Sequence, residues 1–120
     1  MKSALWIIIA APYSAGASSP EQRAQNLRRF NEVAVEVFDL GHVPVIGVNM
    51  ALPMIEAAGE ASYDRIMMPL SLALTERCDA CLRIGGASSG ADQEVERFLT
   101  AGKPVLRSLA ELRKWVSRRQ

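Results

Sequence analysis

One histidine, two cysteines and almost no charge imbalance mark this chain of 120 residues, whose fourteen basic and thirteen acidic side chains leave a net charge of +1. Each scarcity closes a class of function. A charge near zero gives no field to draw in a nucleic acid polymer or an acidic membrane, which needs a clustered basic excess. The local excess at Arg113, Lys114, Arg118 and Arg119 reads as a solvated helix end that suits the helix dipole. A lone histidine, His42, with no cysteine or acidic cluster makes no metal site, and no Ser-His-Asp set can be assembled by spacing. Neither a G-x-G-x-x-G fingerprint nor a G-x-x-x-x-G-K-[ST] loop occurs, so no cofactor is expected. Cys78 and Cys81 form a lone C-x-x-C with no second pair for zinc. They fall where a helix should end and a strand begin, whereas a reactive pair would sit at a helix N-terminus, so they read as small buried residues of a reducing compartment. The apolar run Leu5 to Ala11 is far short of the roughly 20 residues that cross a bilayer. Pro12 and Tyr13 lead from it into more folded sequence, not a cleavage site, and a cytoplasmic location is expected.

What is present alternates between two periods. Ala4 to Ala11, rich in isoleucine, fits a central strand buried on both faces. Ser19 followed by Pro20 is a helix start, and Leu27, Phe30, Val33, Ala34, Val37 and Phe38 form a helical stripe that Gly41 closes. Val43 to Val48 predicts a second strand. Asn49 to Glu60 is ambiguous, because Pro53 and Gly59 break any long element. A helix is expected from Ser62 or Tyr63 to about Arg77, kinked or begun late at Pro69. Ala80 to Ile84 and Pro104 to Leu106 predict two more strands, with helices over Gly90 to Ala101 and from Ser108 to near Arg118. The alternation predicts a single α/β domain over residues 1–120, a three-layer, flavodoxin- or Rossmann-like parallel sheet of about four to five strands with helices on both faces.

In such a sheet ligands bind outside the carboxyl ends of the strands, where strand order reverses. Two loops fit that place: Ala11-Pro12-Tyr13-Ser14-Ala15-Gly16 and Gly85-Gly86-Ala87-Ser88-Ser89-Gly90. Small residues let a ligand approach the backbone, and the helix after the second loop offers free N–H groups. Glycine in such turns is as well explained by structure alone. The second loop has more, because helical spacing puts Glu94 on one stripe with Ala91, Val95 and Phe98, facing the sheet, while Glu96 points roughly 200° away. A carboxylate on the buried side is costly unless it is paired or used. Asp92 reads instead as the partner of Ser89 in a capping-box-like arrangement, and Asp64 as an N-terminal charge on the long helix. His42, following Gly41, suits a helix C-terminus. The apolar residues Ile66, Met67, Met68, Leu70, Leu72 and Leu74 look like more than a small monomer buries, which predicts a homodimer or higher homo-oligomer.

Ile7-Ile8-Ile9-Ala10-Ala11-Pro12-Tyr13-Ser14 resembles the first strand and loop of the nucleoside 2-deoxyribosyltransferase superfamily, which includes nucleotide N-hydrolases. Ser88-Ser89-Gly90-Ala91-Asp92-Gln93-Glu94, with Gly102-Lys103-Pro104-Val105 beyond it, resembles its second signature. The resemblance implies a nucleoside or nucleotide as the small-molecule partner and Glu94 as a nucleophile toward the anomeric carbon. It implies that Asp64 contacts the sugar or helps protonate the leaving base, that Tyr13 lines the base or sugar pocket, and that Ser88, Ser89 and Gly90 hold the 5′ end; Ser14 and Asp92 complete the substrate-binding candidates. Glu96 stands where the transferases carry a glycine, and the loop Ser14 to Ser19 has no basic residue, Arg23 being the nearest. Two other readings stay open. One is a non-catalytic nucleotide-binding module; the other is a cytokinin-activating-type phosphoribohydrolase, whose P-G-G-x-G-T-x-x-E loop the Gly85 to Gly90 segment with Glu94 resembles.

Overall fold

A computed structural model describes residues 3–119. Four strands and five helices follow one another along the described chain: β1 (Trp6–Ala10), α1 (Pro20–Asp39), β2 (Val43–Val45), α2 (Gly47–Ala58), a 3-10 turn at Glu60–Ser62, α3 (Tyr63–Thr75), β3 (Ala80–Arg83), α4 (Ser89–Thr100), β4 (Val105–Leu106) and α5 (Leu109–Arg119), with two helices between β2 and β3. The strands form one parallel sheet in the order β2-β1-β3-β4, the flavodoxin-like arrangement. Ile7 to Ala10 of the central β1 are at most 1% exposed, as a strand covered on both faces requires.

Register decides which side chains share a face. Ile7 pairs with Ala80 and Ile9 with Leu82, and these pack with Phe30 and Val37 of α1 and Leu112 and Val116 of α5. Ile8 pairs with Cys81 and Ala10 with Arg83; that face carries Ala91, Val95 and Phe98 of α4. Both cysteines lie in this second layer, and burial pushes their thiols up to about 11 at Cys78 and about 12 at Cys81, which makes them unreactive at neutral pH.

Helix ends follow local rules. Ser19 Oγ accepts the Gln22 N–H at 3.1 Å with Pro20 in the first turn, and Gly41 takes φ +92° after the C-cap Leu40. Lys103 closes α3 from a distance, donating from Nζ to the carbonyls of Glu76 and Cys78 at 3.2 and 2.9 Å.

Four expectations change. Phe38 leaves the α1 stripe and is 68% exposed, because one residue past Val37 the helix has turned about 100° from the core. The second strand stops at Val45, and Gly47–Ala58 is a helix that contains Pro53. Its buried side chains Val48, Ala51 and Ile55 recur at helical spacing, and that burial outweighs the one N–H that Pro53 lacks. Pro69 does not delay α3, which starts six residues earlier at Tyr63 for the same reason, with Ile66, Met67 and Ser71 inward. The apolar side chains of α3 are consumed within the fold, Ile66 and Met67 buried and Met68, Leu70, Leu72 and Leu74 half-buried, so α3 offers no bare face. His42 acts as an acceptor at Nδ1 for the Leu5 N–H, at 2.9 Å. Burial, and then the charge of Arg119, lower its pKa, so the neutral ring is the form the fold favours.

Candidate functional site

The strand order reverses between β1 and β3, since the chain moves outward from β1 to β2 and then crosses to the other side. A cleft of about 300 Å³ opens there, beyond the carboxyl ends of both strands. Its floor is Ile9 and Ala11 from β1 and its loop; α3 supplies one wall and the start of α4 the other. The two loops are locked together where Gly85, at φ +78°, approaches the Pro12 ring. A Cβ added at Gly85 would fall 2.7 Å from Pro12 Cδ. Gly85→Ala therefore meets both a left-handed backbone and a steric clash, and should cost about 2 kcal/mol or more in denaturant unfolding.

Glu94 lies at the cleft with only 8% of its surface exposed, because its neighbours on the helical stripe, Ala91, Val95 and Phe98, pack on the sheet. Among the described residues its carboxylate has no hydrogen-bond partner, and no fully buried polar atom is left orphaned, so the carboxylate faces the open space of the cleft. Burial raises its pKa to about 7, with the positive charge of Arg83 pulling the other way. Asp64, in the first turn of α3, reaches the same cleft from the facing wall.

Of the other candidates, Tyr13, Ser14, Ser88, Ser89 and Gly90 all line this cleft. The Tyr13 carbonyl is fixed by Asn26, whose Nδ2 donates to it at 2.7 Å. Ser88 Oγ accepts the Ala91 N–H at 3.1 Å, which makes Ser88, not Ser89, the N-cap of α4. The capping pair expected between Ser89 and Asp92 is thus out of frame by one residue. Asp92 is not brought to the cleft. It turns to the opposite side of the loop, where its Oδ1 accepts from Arg83 Nε at 3.3 Å, because a buried guanidinium there recruits the nearest carboxylate.

Sequence reasoning missed three groups. Arg83 ends β3 on the α4 face, is 8% exposed, and donates to the carbonyls of Ile84 and Gly86 as well as to Asp92, so it holds the shape of the second loop. A cation inside the otherwise apolar Ala80 to Ile84 was the available signal, since a buried charge must be paired. Tyr63 lines the cleft and donates from its hydroxyl to Ser14 Oγ at 3.5 Å. Met67, Met68 and Gln93 line it further, and no local pattern marked them. Among the described residues no cluster of three His, Cys, Asp or Glu side chains could hold a metal ion, and no helix is long and apolar enough to cross a membrane.

The model of a family described as a domain of unknown function, DUF1937, matches residues 6–109. The chain belongs to this family. The match runs from the first residue of β1 to the first of α5, so every lining residue of the cleft falls inside the DUF1937 span. No curated protein matches the chain. The DUF1937 domain of this chain is therefore a flavodoxin-like α/β layer structure with one buried, unpaired glutamate at its switch-point cleft.

Proposed function

We propose that this protein cleaves or transfers the N-glycosidic bond of a nucleoside or nucleoside 5′-monophosphate, with Glu94 as the nucleophile. The observation that carries this reading is the Glu94 carboxylate itself, buried without a partner at the edge of a cleft of ligand size. Such a group costs folding energy, and its position at the mouth of the switch-point loops gives that cost a use. The resemblance of the two loops to nucleoside 2-deoxyribosyltransferases supports the same chemistry.

The proposed reaction runs in two steps. The ionised carboxylate attacks the anomeric carbon, the C–N bond breaks with its electron pair going to the base, and a glycosyl ester forms on Glu94. Its negative charge also stabilises the oxocarbenium-like transition state. Asp64, on the facing wall, contacts the sugar or hands a proton to the leaving base. Water then releases the sugar, or a second base takes it. Tyr13 and Tyr63 give the base flat apolar surface, and the first N–H groups of α4 with Ser88, Ser89 and Gly90 hold the 5′ end.

The active form in this reading is a homodimer or larger. What supports it is the outer side of α2, where Met50 and Met54, one turn apart, are 50% and 46% exposed on a helix whose only charge is Glu56. Light scattering at micromolar concentration should give at least twice the chain mass of 13.1 kDa; a monomer contradicts association. The chemistry is tested by incubating the protein with a panel of ribo- and deoxyribonucleosides and their 5′-monophosphates and separating the products by chromatography. Free base is expected from at least one compound, and a folded protein that releases none contradicts the reading.

A further inference from the structure

The walls of the cleft carry two carboxylates, Asp64 and Glu94, and among the described residues no lysine or arginine. The nearby cations are engaged elsewhere. Arg83 is held by two loop carbonyls and Asp92 on the far side of the second loop. Arg23 opens on a neighbouring hollow that shares Tyr13, Ser14 and Tyr63 with the cleft, and there Glu56 and Glu60 outnumber it. A phosphate entering this region would find only the N-terminus of α4, equivalent to about half an elementary charge, against two carboxylates. The buried Glu94 carboxylate, 8% exposed and without a partner, sets the sign of the site, since little water screens it.

Resting on the N-glycoside reading above, we propose that the cleft selects its ligand by charge: a nucleoside whose base is cationic and whose sugar carries no 5′-phosphate. Asp64 and Glu94 attract the positive charge, and Tyr13 and Tyr63 line the same cleft, where an aromatic ring can accept a cation within about 6 Å of its centroid. The chemistry agrees. When Glu94 attacks the anomeric carbon of such a compound, the C–N bond breaks with its pair to the ring nitrogen and the base departs neutral. No proton has to be supplied to it. Water then attacks the glycosyl ester, giving free sugar, one released proton and the regenerated carboxylate. A neutral nucleoside would need a proton donor at the same step.

The test uses matched pairs at pH 8 and low salt: N-ribosylnicotinamide against its neutral 1,4-dihydro form, N-ribosyl-3-acetylpyridinium against its neutral 1,4-dihydro form, and N-ribosylnicotinamide against its 5′-monophosphate. Dissociation constants are measured by calorimetry in the cold, and base release by chromatography. Each cation is expected to bind about tenfold or more tightly than its neutral counterpart, the 5′-phosphate to weaken binding, and Asp64→Asn to shrink the preference for the cation. Equal or tighter binding of the neutral or phosphorylated member overturns the inference, as does failure of every compound to bind. Preferential base release from neutral nucleosides or nucleotides overturns it while leaving the glycosidic reading intact. A cation preference in binding with no base released from any compound upholds the charge selection and removes the catalytic reading.

Discussion

Replacing Glu94 by glutamine should stabilise the folded protein at pH 8 by roughly 3 kcal/mol. The carboxyl is raised from its ordinary 4.5 to about 7, mainly by burial, so the native state holds a proton that the unfolded chain has already released. Its contribution to stability is therefore full below pH 4.5 and is lost as the pH rises to about 7. Glutamine is neutral throughout and escapes that loss. Urea unfolding of both proteins at pH 8 and again near pH 4.5 checks the sign: the gain should be present at the first and nearly absent at the second. A glutamine variant no more stable than the parent at pH 8 would mean that the carboxylate is paired or solvated, and the case for a retained functional strain would fail. Stability gained together with activity lost is the usual signature of a residue kept for chemistry.

Arg83→Met is expected to have the next largest effect. The guanidinium, itself only 8% exposed, satisfies the carbonyls of Ile84 and Gly86, and charge-assisted bonds of this kind are the strong ones. Their loss should cost about 2–3 kcal/mol in urea unfolding. Asp92→Asn should cost under about 1 kcal/mol, because the Asp92 side chain is 66% exposed and its half of the ion pair is screened. The Arg83 variant also acts on Glu94. Arg83 is the charge that holds the Glu94 pKa down, so removing it pushes Glu94 further above about 7. If Glu94 is the nucleophile of the proposed reaction, kcat/KM should rise with pH as its carboxyl ionises, and that rise should move to higher pH in Arg83→Met. An unmoved profile would show that Glu94 does not feel Arg83, or that the limb belongs to another group.

Local signals account for most of what could be read in advance. Ser19-Pro20 marks its helix because the cap needs only neighbours in sequence, and Ile7 to Ala10 marks the central strand because continuous apolarity has few other uses. Glu94 was visible for the same reason: its place on a stripe with Val95 and Phe98 is a property of one helix. What stayed hidden depends on distant partners. Pro53 and Pro69 argued against α2 and α3, and only the burial of Ala51, Ile55, Ile66 and Met67 against other elements overrides them. The adjacent serines 88 and 89 offered two caps one residue apart, and Arg83, fixed on another element, draws Asp92 out of the frame that Ser89 would need. Met67, Met68 and Tyr63 enter the cleft because α3 crosses near the loops of β1 and β3, a consequence of topology that no spacing in the chain records.

The most direct test of the account is base release by the parent protein and by Glu94→Gln, run side by side at pH 8 on whichever panel compound the parent turns over. Turnover should fall by about a thousandfold or more in the glutamine variant, whose fold the unfolding curves show to be intact, because the amide can neither attack the anomeric carbon nor offset its developing charge. Turnover retained within about tenfold of the parent would contradict the assignment and place the nucleophile elsewhere.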